Sequence, residues 1–436
     1  MENENPSRPI RIQQAKTTRL FEKMGKTPGG RRLTMSLKWF RRFLIPTSAC
    51  LFLSFLTGCW STVELNDQAF AKIMLLDKSD DGIEMTLEFP LPNQMVPSQE
   101  GGGGGGGGKS GKPFAYVTKR DRDVAKAYRA IQADLSRKIS FGQLRIIVIG
   151  RKLAEDGIGQ VVDFIAREPK IHINSNVFIT EGKPVELASI LVGFERFPTD
   201  ILSGYIEEKV TVEVTVKDLL MANYTGGDLV IPMLVFGREG IVKKKTDEKW
   251  MGTDGAAIFK DGKMVSLLNT MEMRGALWIL GKLKNAEVNV PSPSDGKNVS
   301  FMVTQATTRI KPEVEGDPTI HIRCKAEVDV LANESNINLE DPDQLKLLEQ
   351  RLGKKLEGRM AQAIAKSKKA KSDAFQFGNY VRWRFPQKWE EIKPGWRELY
   401  VDKVNVKEHV DVSIKRLGAV RKAEGQRLLS NQGEQR

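Results

Sequence analysis

One cysteine stands where its thiol has an evident use. Leu56-Thr57-Gly58-Cys59 sets a large apolar residue and two small ones ahead of a Cys. The string resembles a bacterial lipobox, in which the thiol takes a diacylglyceryl group and the chain is then cut just before it. The lead-in agrees: Lys38, Arg41 and Arg42 precede an uncharged run from Phe43 to Leu56. Fourteen residues at about 1.5 Å each cover roughly 21 Å, short of a hydrocarbon core of about 30 Å, so the run reads as the apolar part of a signal peptide rather than a spanning helix. Two palmitate-type acyl chains on the new terminus, at about 0.8 kcal/mol per buried CH₂, suffice for stable anchoring. The competing readings are a chance Leu-Thr-Gly-Cys in an ordinary secretory leader, a signal anchor, and a twin-arginine signal at Arg41-Arg42.

Elsewhere the residues that could do chemistry are poorly arranged for it. Eight glycines at 101–108 run into Lys109-Ser110, which formally spells a phosphate-binding loop, but Gly111, Lys112 and Pro113 break the helix such a loop must open. A flexible loop is expected over 99–112. His172, His321 and His409 are far apart in strand-like segments, and no HExxH, paired-Cys or Gly-x-Ser-x-Gly string occurs. Cys324 follows His321 by three residues, an odd offset that on a strand sends the two to opposite faces. Each histidine is read as solvent-facing; no catalytic residue, cofactor or metal is expected. Trp383, Trp389 and Trp396, interleaved with Arg382, Arg384, Lys388 and Arg397, could stack nucleic-acid bases, but export argues against it. Core packing is the expected use, with a partner-binding surface as the alternative.

Composition sets the frame. The 436 residues are 40% hydrophobic, enough for two or three cores. Of the net charge of +13, residues 1–42 supply most, with eleven Lys/Arg against three Asp/Glu; the +5 left for 59–436 does not argue for a nucleic-acid partner. Cys50 falls in the leader. With Cys59 acylated, Cys324 has no partner for an internal disulfide.

The elements follow from periodicity and turn residues. A hairpin is expected over 69–91 about Asp81-Gly82, then a helix capped by Asp121 and an apolar strand at 144–149. A helix at 158–166 and a strand at 171–180 complete a β-β-α-β-α-β order. Residues 184–224 read as helix around a short strand at 210–216, and 228–236 as a strand. A second hairpin, 256–268, turns at Asp261-Gly262 and leads to a helix at 271–280 and strands at 298–311 and 319–330. Asp341-Pro342 opens the longest helix, whose stripe of Leu345, Leu348, Leu352, Leu356, Met360 and Ile364 must pack on something, a sheet being expected. Its C-terminal Lys366, Lys368, Lys369 and Lys371 read as a solvated end favoured by the helix dipole, with anionic headgroups as the alternative. A strand at 401–415 closes the unit.

The predicted fold class is therefore α+β and multi-domain, with three domains expected, among them a mixed-sheet N-terminal domain and a C-terminal domain with an antiparallel sheet and a long helix. Residues 1–34 read as an extension ahead of a start at Met35 or as a cytoplasmic segment, 35–58 as signal peptide and 59–208 as the N-terminal domain. Residues 209–252 read as a middle region with a linker at 243–249, 253–420 as the C-terminal domain and 421–436 as a polar tail.

Several strings, taken in order, resemble the Ger(x)C family of spore germination lipoproteins, the C subunits of nutrient germinant receptors. They are Gly58-Cys59-Trp60 with Val63-Glu64-Leu65-Asn66, Leu76-Asp77-Lys78, the glycine loop, and Ser140-Phe141-Gly142-Gln143-Leu144-Arg145 through Gly150. Ala257 to Lys263, Arg274-Gly275-Ala276-Leu277-Trp278, and Asp373-Ala374-Phe375-Gln376-Phe377-Gly378 leading to Trp389 complete the set. Together they span 56–417. Gln376 stands where the family often has a small residue such as Gly, and Ser61-Thr62 where charged residues are common.

The resemblance implies a three-domain α+β lipoprotein on the outer face of the cell membrane and in the spore inner membrane. Its implied partners are A- and B-type receptor subunits, and its role is in the response to small nutrients that triggers germination; whether it touches the nutrient is left open. A solute-binding lipoprotein of a transporter is the alternative, and a cell-envelope hydrolase a third reading.

Overall fold

A computed structural model of the protein describes residues 64–91, 112–190, 195–238 and 250–418. Leu56, Thr57, Gly58 and Cys59 lie outside the described residues, as do the glycine run, the expected linker at 243–249 and the polar tail.

The chain enters through β1 (Gln68–Phe70), β2 (Ile73–Ser79) and β3 (Gly82–Pro90). β2 and β3 form the expected antiparallel hairpin, closed by Ser79 opposite Gly82, whose φ of +140° few other residues adopt. Next come β4 (Phe114–Asp121), α1 (Val124–Ala133), β5 (Lys138–Ser140), β6 (Ile146–Gly150), α2 (Arg151–Asp156), α3 (Gly159–Arg167) and β7 (Asn176–Thr180). β4 is an element the sequence pattern did not announce, and it moves the cap: Asp121 ends the strand, and Asp123 accepts the Lys126 N–H at 2.8 Å. After α4 (Pro198–Glu207), residues 210–216 form no strand. Only Thr215 bridges to Asn176, because Thr215 caps α5 (Val216–Tyr224) with its hydroxyl.

β8 (Leu229–Arg238), β9 (Trp250–Lys260) and β10 (Lys263–Leu268) complete an eight-stranded sheet in the order β10-β9-β8-β7-β6-β2-β3-β4. β9 pairs with β8 from Leu229–Phe259 to Arg238–Trp250. The second hairpin thus extends the first sheet, taking up the backbone groups at the free edge of β8.

Side chains alternate between two covered faces. Met74, Leu76, Ile147, Ile149, Val177 and Ile179 face a core that includes the apolar sides of α1, α3 and α5. Ile73, Leu75, Ile146, Val148, Phe178 and Leu234 face the other, beneath α4. That is why β2, β6 and β7 read as continuous apolar runs. Glu88 on β3 faces the second core. It is fully buried, its Oε2 accepts the Tyr116 hydroxyl at 2.9 Å, and its Oε1 has no partner. Burial pushes this carboxyl up to about 7.

α6 (Thr270–Ile279), capped by Asn269 and Glu272, leads to β11 (Ala286–Pro291), β12 (Asn298–Glu313) and β13 (Thr319–Asn333). Then come α7 (Pro342–Lys369), α8 (Phe377–Arg384), α9 (Pro386–Ile392), α10 (Trp396–Asp402) and β14 (Asn405–Arg416). The second sheet runs β11-β12-β13-β14. Its first three strands are antiparallel, whereas β14 joins β13 in parallel. The helices between them carry the chain back to the start of β13, and a crossover of this kind returns a strand in the same direction.

Leu348, Leu352, Leu356, Met360 and Ile364 of α7 are buried with the sheet residues Phe301, Ile322, Cys324 and Val328. Gly353 lets the helix come close, since a Cβ there would stand 2.7 Å from the Val410 carbonyl oxygen. The flanks of α7 then cover both sheet edges. Lys355 and Arg351 donate to the Asn289 and Pro291 carbonyls of β11, while Glu357 and Glu349 accept the Val410 and Ile414 amides of β14. At its C-terminus Lys368 is not freely solvated, for its ammonium donates to the Val404 carbonyl at 2.6 Å and lies 5.6 Å from the Tyr400 ring centre. Among the described residues no helix is long and apolar enough to cross a membrane.

Candidate functional site

A partly buried polar junction lies where the β9–β10 turn meets the loop after α7. Asp228, just ahead of β8, is its hub. Its Oδ1 accepts the Asp261 amide at 3.1 Å and the Arg397 Nη2 at 2.7 Å, and its Oδ2 accepts the Asp373 amide at 2.9 Å. Arg397 also grips Asp261 with both terminal nitrogens, at 3.1 and 2.8 Å, a bidentate geometry that only guanidinium supplies. Two further bonds cross the same seam: the Ser372 hydroxyl donates to the Phe259 carbonyl at 2.6 Å, and the Gln376 amide to the Asp228 carbonyl at 3.3 Å.

Asp373 organises the next layer. Its Oδ1 accepts the Phe377 N–H at 2.8 Å, and its Oδ2 accepts the Gly378 N–H at 2.7 Å and the Trp396 indole N–H at 2.8 Å. The first two amides open α8, where helix donors lack partners, so the carboxylate caps the helix and ties it to α10 at once. Burial pushes this carboxyl up to about 7 against the pull of the three hydrogen bonds, and the Asp228 charge adds to the rise. Gly378 has no room for a side chain: a Cβ would sit 2.7 Å from Trp396 Nε1 and 2.8 Å from the Trp389 ring. Gln376 holds φ +56°, ψ +40°, a left-handed conformation that Gly adopts without strain. The departure noted at this position in the sequence thus falls on a backbone geometry that favours the small residue.

A cleft of about 570 Å³ opens beside this junction, walled by Tyr224, Arg382, Trp389, Lys393 and Arg397. Arg382 lies 6.0 Å from the Tyr224 ring centre. Trp389 and Trp396 are buried against each other with ring centres 5.4 Å apart, the packing use expected of them. Trp383 is 66% exposed and meets Tyr380 edge-on. The carboxylate oxygens of Asp228 and Asp373 are all occupied by donors from the chain, which suits a latch between elements better than a proton-transferring pair.

Two other strings singled out in the sequence, Leu76-Asp77-Lys78 and Ser140 to Gly150, meet in a second place. Leu76 and Ile149 pair on parallel strands, and Asp77 then lies against Gly150, where a Cβ would run into the Asp77 carboxylate. Asp77 is buried, accepts its neighbour Lys78 N–H at 2.9 Å, and is pushed up by that burial. Lys78 pairs with Asp156 at 2.9 Å.

His172 lies on no strand and contacts the Gly142 carbonyl at 2.8 Å; His321 and His409 pair with Glu313 and Asp411. Cys324 is buried, 3.3 Å from the Thr308 hydroxyl, in a core that also holds Met360. Among the described residues no group of His, Cys, Asp or Glu is placed to hold a metal. The sequence marks Asp228 only as the start of a strand, Asp261 only as a turn residue and Arg397 only as a cation beside the tryptophans, not as partners of one another. Gly226-Gly227-Asp228 ahead of a strand and Asp261-Gly262 in a turn do not say that the two turns meet.

Comparison with known proteins adds the identity of these strings. Residues 61–236 match the family model described as "Spore germination protein N-terminal domain", and 254–418 match "Spore germination B3/ GerAC like, C-terminal". Spore germination protein KC of Bacillus subtilis (strain 168) is 25% identical over 396 residues, covering 87% of this chain and 96% of that protein. Spore germination protein B3 of the same organism is 25% identical over 366 residues, covering 79% and 90%. The crystal structure of the GerBC protein shares the fold, with a TM-score of 0.51 at 19% identity over 78% of this chain and 96% of that one. With both family models matched in order over most of its length, the chain belongs to the Ger(x)C family of spore germination proteins.

Proposed function

We propose that the protein is the lipid-anchored C-type subunit of a spore nutrient germinant receptor, held on the outer face of the membrane through Cys59 and assembled with A- and B-type subunits in the spore inner membrane. The observation that carries this reading is the ordered match to both spore germination family models, on a chain whose polar junction about Asp228 and Asp373 ties its own elements together. A latch of this kind suits a subunit that presents surfaces and transmits contacts, with no catalytic step of its own. Residues 35–58 are removed in processing, and the mature chain starts at Cys59. The lipobox reading, in which two acyl chains give stable anchoring, supports the membrane assignment.

The test is purification of the full chain from spore inner membranes in mild detergent, with identification of what comes with it. Co-purification of two further receptor-type membrane subunits, together with slowed nutrient germination in a deletion strain, is the expected result. Recovery of a transporter instead, with tight binding of a small solute by this chain, would move the assignment to a solute-binding lipoprotein.

A further inference from the structure

The seam between α6 and α7 holds cations with no counter-charge. Gly275 on α6 abuts the backbone of Arg359 on α7, where a Cβ would run into the Arg359 carbonyl oxygen. That close crossing sets Arg274, the residue before Gly275, near enough to Arg359 for their charges to repel. Arg359 is only 7% exposed, and its Nε and Nη1 are enclosed with no hydrogen-bond partner. Trp278, one helical turn after Arg274, likewise has its indole N–H enclosed without an acceptor. Lys355, one turn before Arg359, adds a third cation that feels Arg359.

Of the four acids on these helices, Asp343 lies in the first turn of α7, away from Arg359, and the other three are committed elsewhere. Glu272 caps α6, and Glu349 and Glu357 bind the β14 backbone. A guanidinium buried without a partner is strongly unfavourable, and surplus donors on two helices with no acceptor describe the complement of an anion.

We propose that Arg274 and Arg359 form an oxyanion site for a phosphate group, either free phosphate or the phosphodiester of a lipid headgroup. A phosphate suits it better than a single carboxylate because it can carry more than one negative charge, and the seam holds two guanidinium groups with no acid of these helices paired to either. Arg274 to Trp278 is also one of the strings that mark this family in the sequence, and the latch between Asp228 and Arg397 gives it no role.

The test uses the full chain in a neutral detergent. Thermal unfolding is followed against inorganic phosphate at constant ionic strength, and sedimentation with phosphatidylglycerol or phosphatidylcholine vesicles is measured alongside. For the parent chain a saturable rise of roughly 2–4 °C with phosphate, or preferential binding to the anionic vesicles, is expected. Arg359→Met removes that response while leaving the phosphate-free midpoint unchanged or higher, because an unpaired buried charge is replaced by an apolar chain of similar length. Arg274→Gln, at a half-buried position, weakens the response at least about tenfold. A phosphate response with equal vesicle binding assigns free phosphate, and a vesicle difference assigns the headgroup. The proposal is overturned if neither response depends on Arg359, or if Arg359→Met lowers the phosphate-free midpoint, which would make Arg359 a packing residue.

Discussion

Replacing Glu88 with Gln isolates the most deeply buried carboxyl of the first sheet. Its Oε1 meets no donor and its Oε2 has only the Tyr116 hydroxyl, so the charged form lacks the hydrogen bonds that usually accompany a buried carboxylate. With the group at about 7 in the folded chain against 4.5 unperturbed, the folded state binds this proton more tightly than the unfolded one. The resulting stabilisation is complete below about pH 4.5 and is lost as pH rises through about 7. A shift of this size corresponds to about 3 kcal/mol. Gln keeps an acceptor for Tyr116 and carries no charge at any pH. The stability of Glu88→Gln minus that of the parent is therefore expected to grow by about 3 kcal/mol between pH 4 and pH 8. The assay is urea unfolding followed by tryptophan fluorescence at five pH values. Asp373 titrates in the same direction but is present in both proteins and cancels in the difference. A difference that stays flat across this range would show that Glu88 titrates alike in the folded and unfolded chain, and the reasoning from burial would be wrong.

Other variants probe the junction. Gly378→Ala should cost about 1–3 kcal/mol, read as a lower urea midpoint, because the new methyl group collides with Trp396 and Trp389. Asp228→Asn should cost about 2–4 kcal/mol, since a neutral amide cannot satisfy Arg397 and two backbone amides together, whereas Asp261→Asn, at an exposed position, should cost under about 1 kcal/mol. Equal losses for these two would remove Asp228 from its place as hub.

The parts of the fold legible in the sequence are those set by local chemistry. Asp81-Gly82 and Asp261-Gly262 place hairpins because the turn needs unusual φ, and Asp341-Pro342 starts α7 because cap and first turn have distinct requirements. β4 escaped because it sits at a sheet edge and is polar after Val117, which removes the apolar run that marks the inner strands. Residues 210–216 alternate like a strand, yet the capping bonds of Thr215 outcompete a ladder there. The parallel placement of β14 depends on where three short helices carry the chain, which no window of residues contains. The junction was half legible: Asp373 to Gly378 stood out as a string, but its meeting with Asp228 joins residues 145 apart in sequence and follows only from the folded sheet.

The central claim is that this chain serves germination from a membrane position held by Cys59. Its most direct test is nutrient-triggered germination of spores that carry Cys59→Ala as the sole copy of the protein, measured by loss of optical density, with the protein's membrane fraction assayed in the same spores. The account predicts loss of the acylated, membrane-bound form and a marked slowing of the nutrient response. Spores that keep the variant at the membrane and germinate at the parental rate would contradict it.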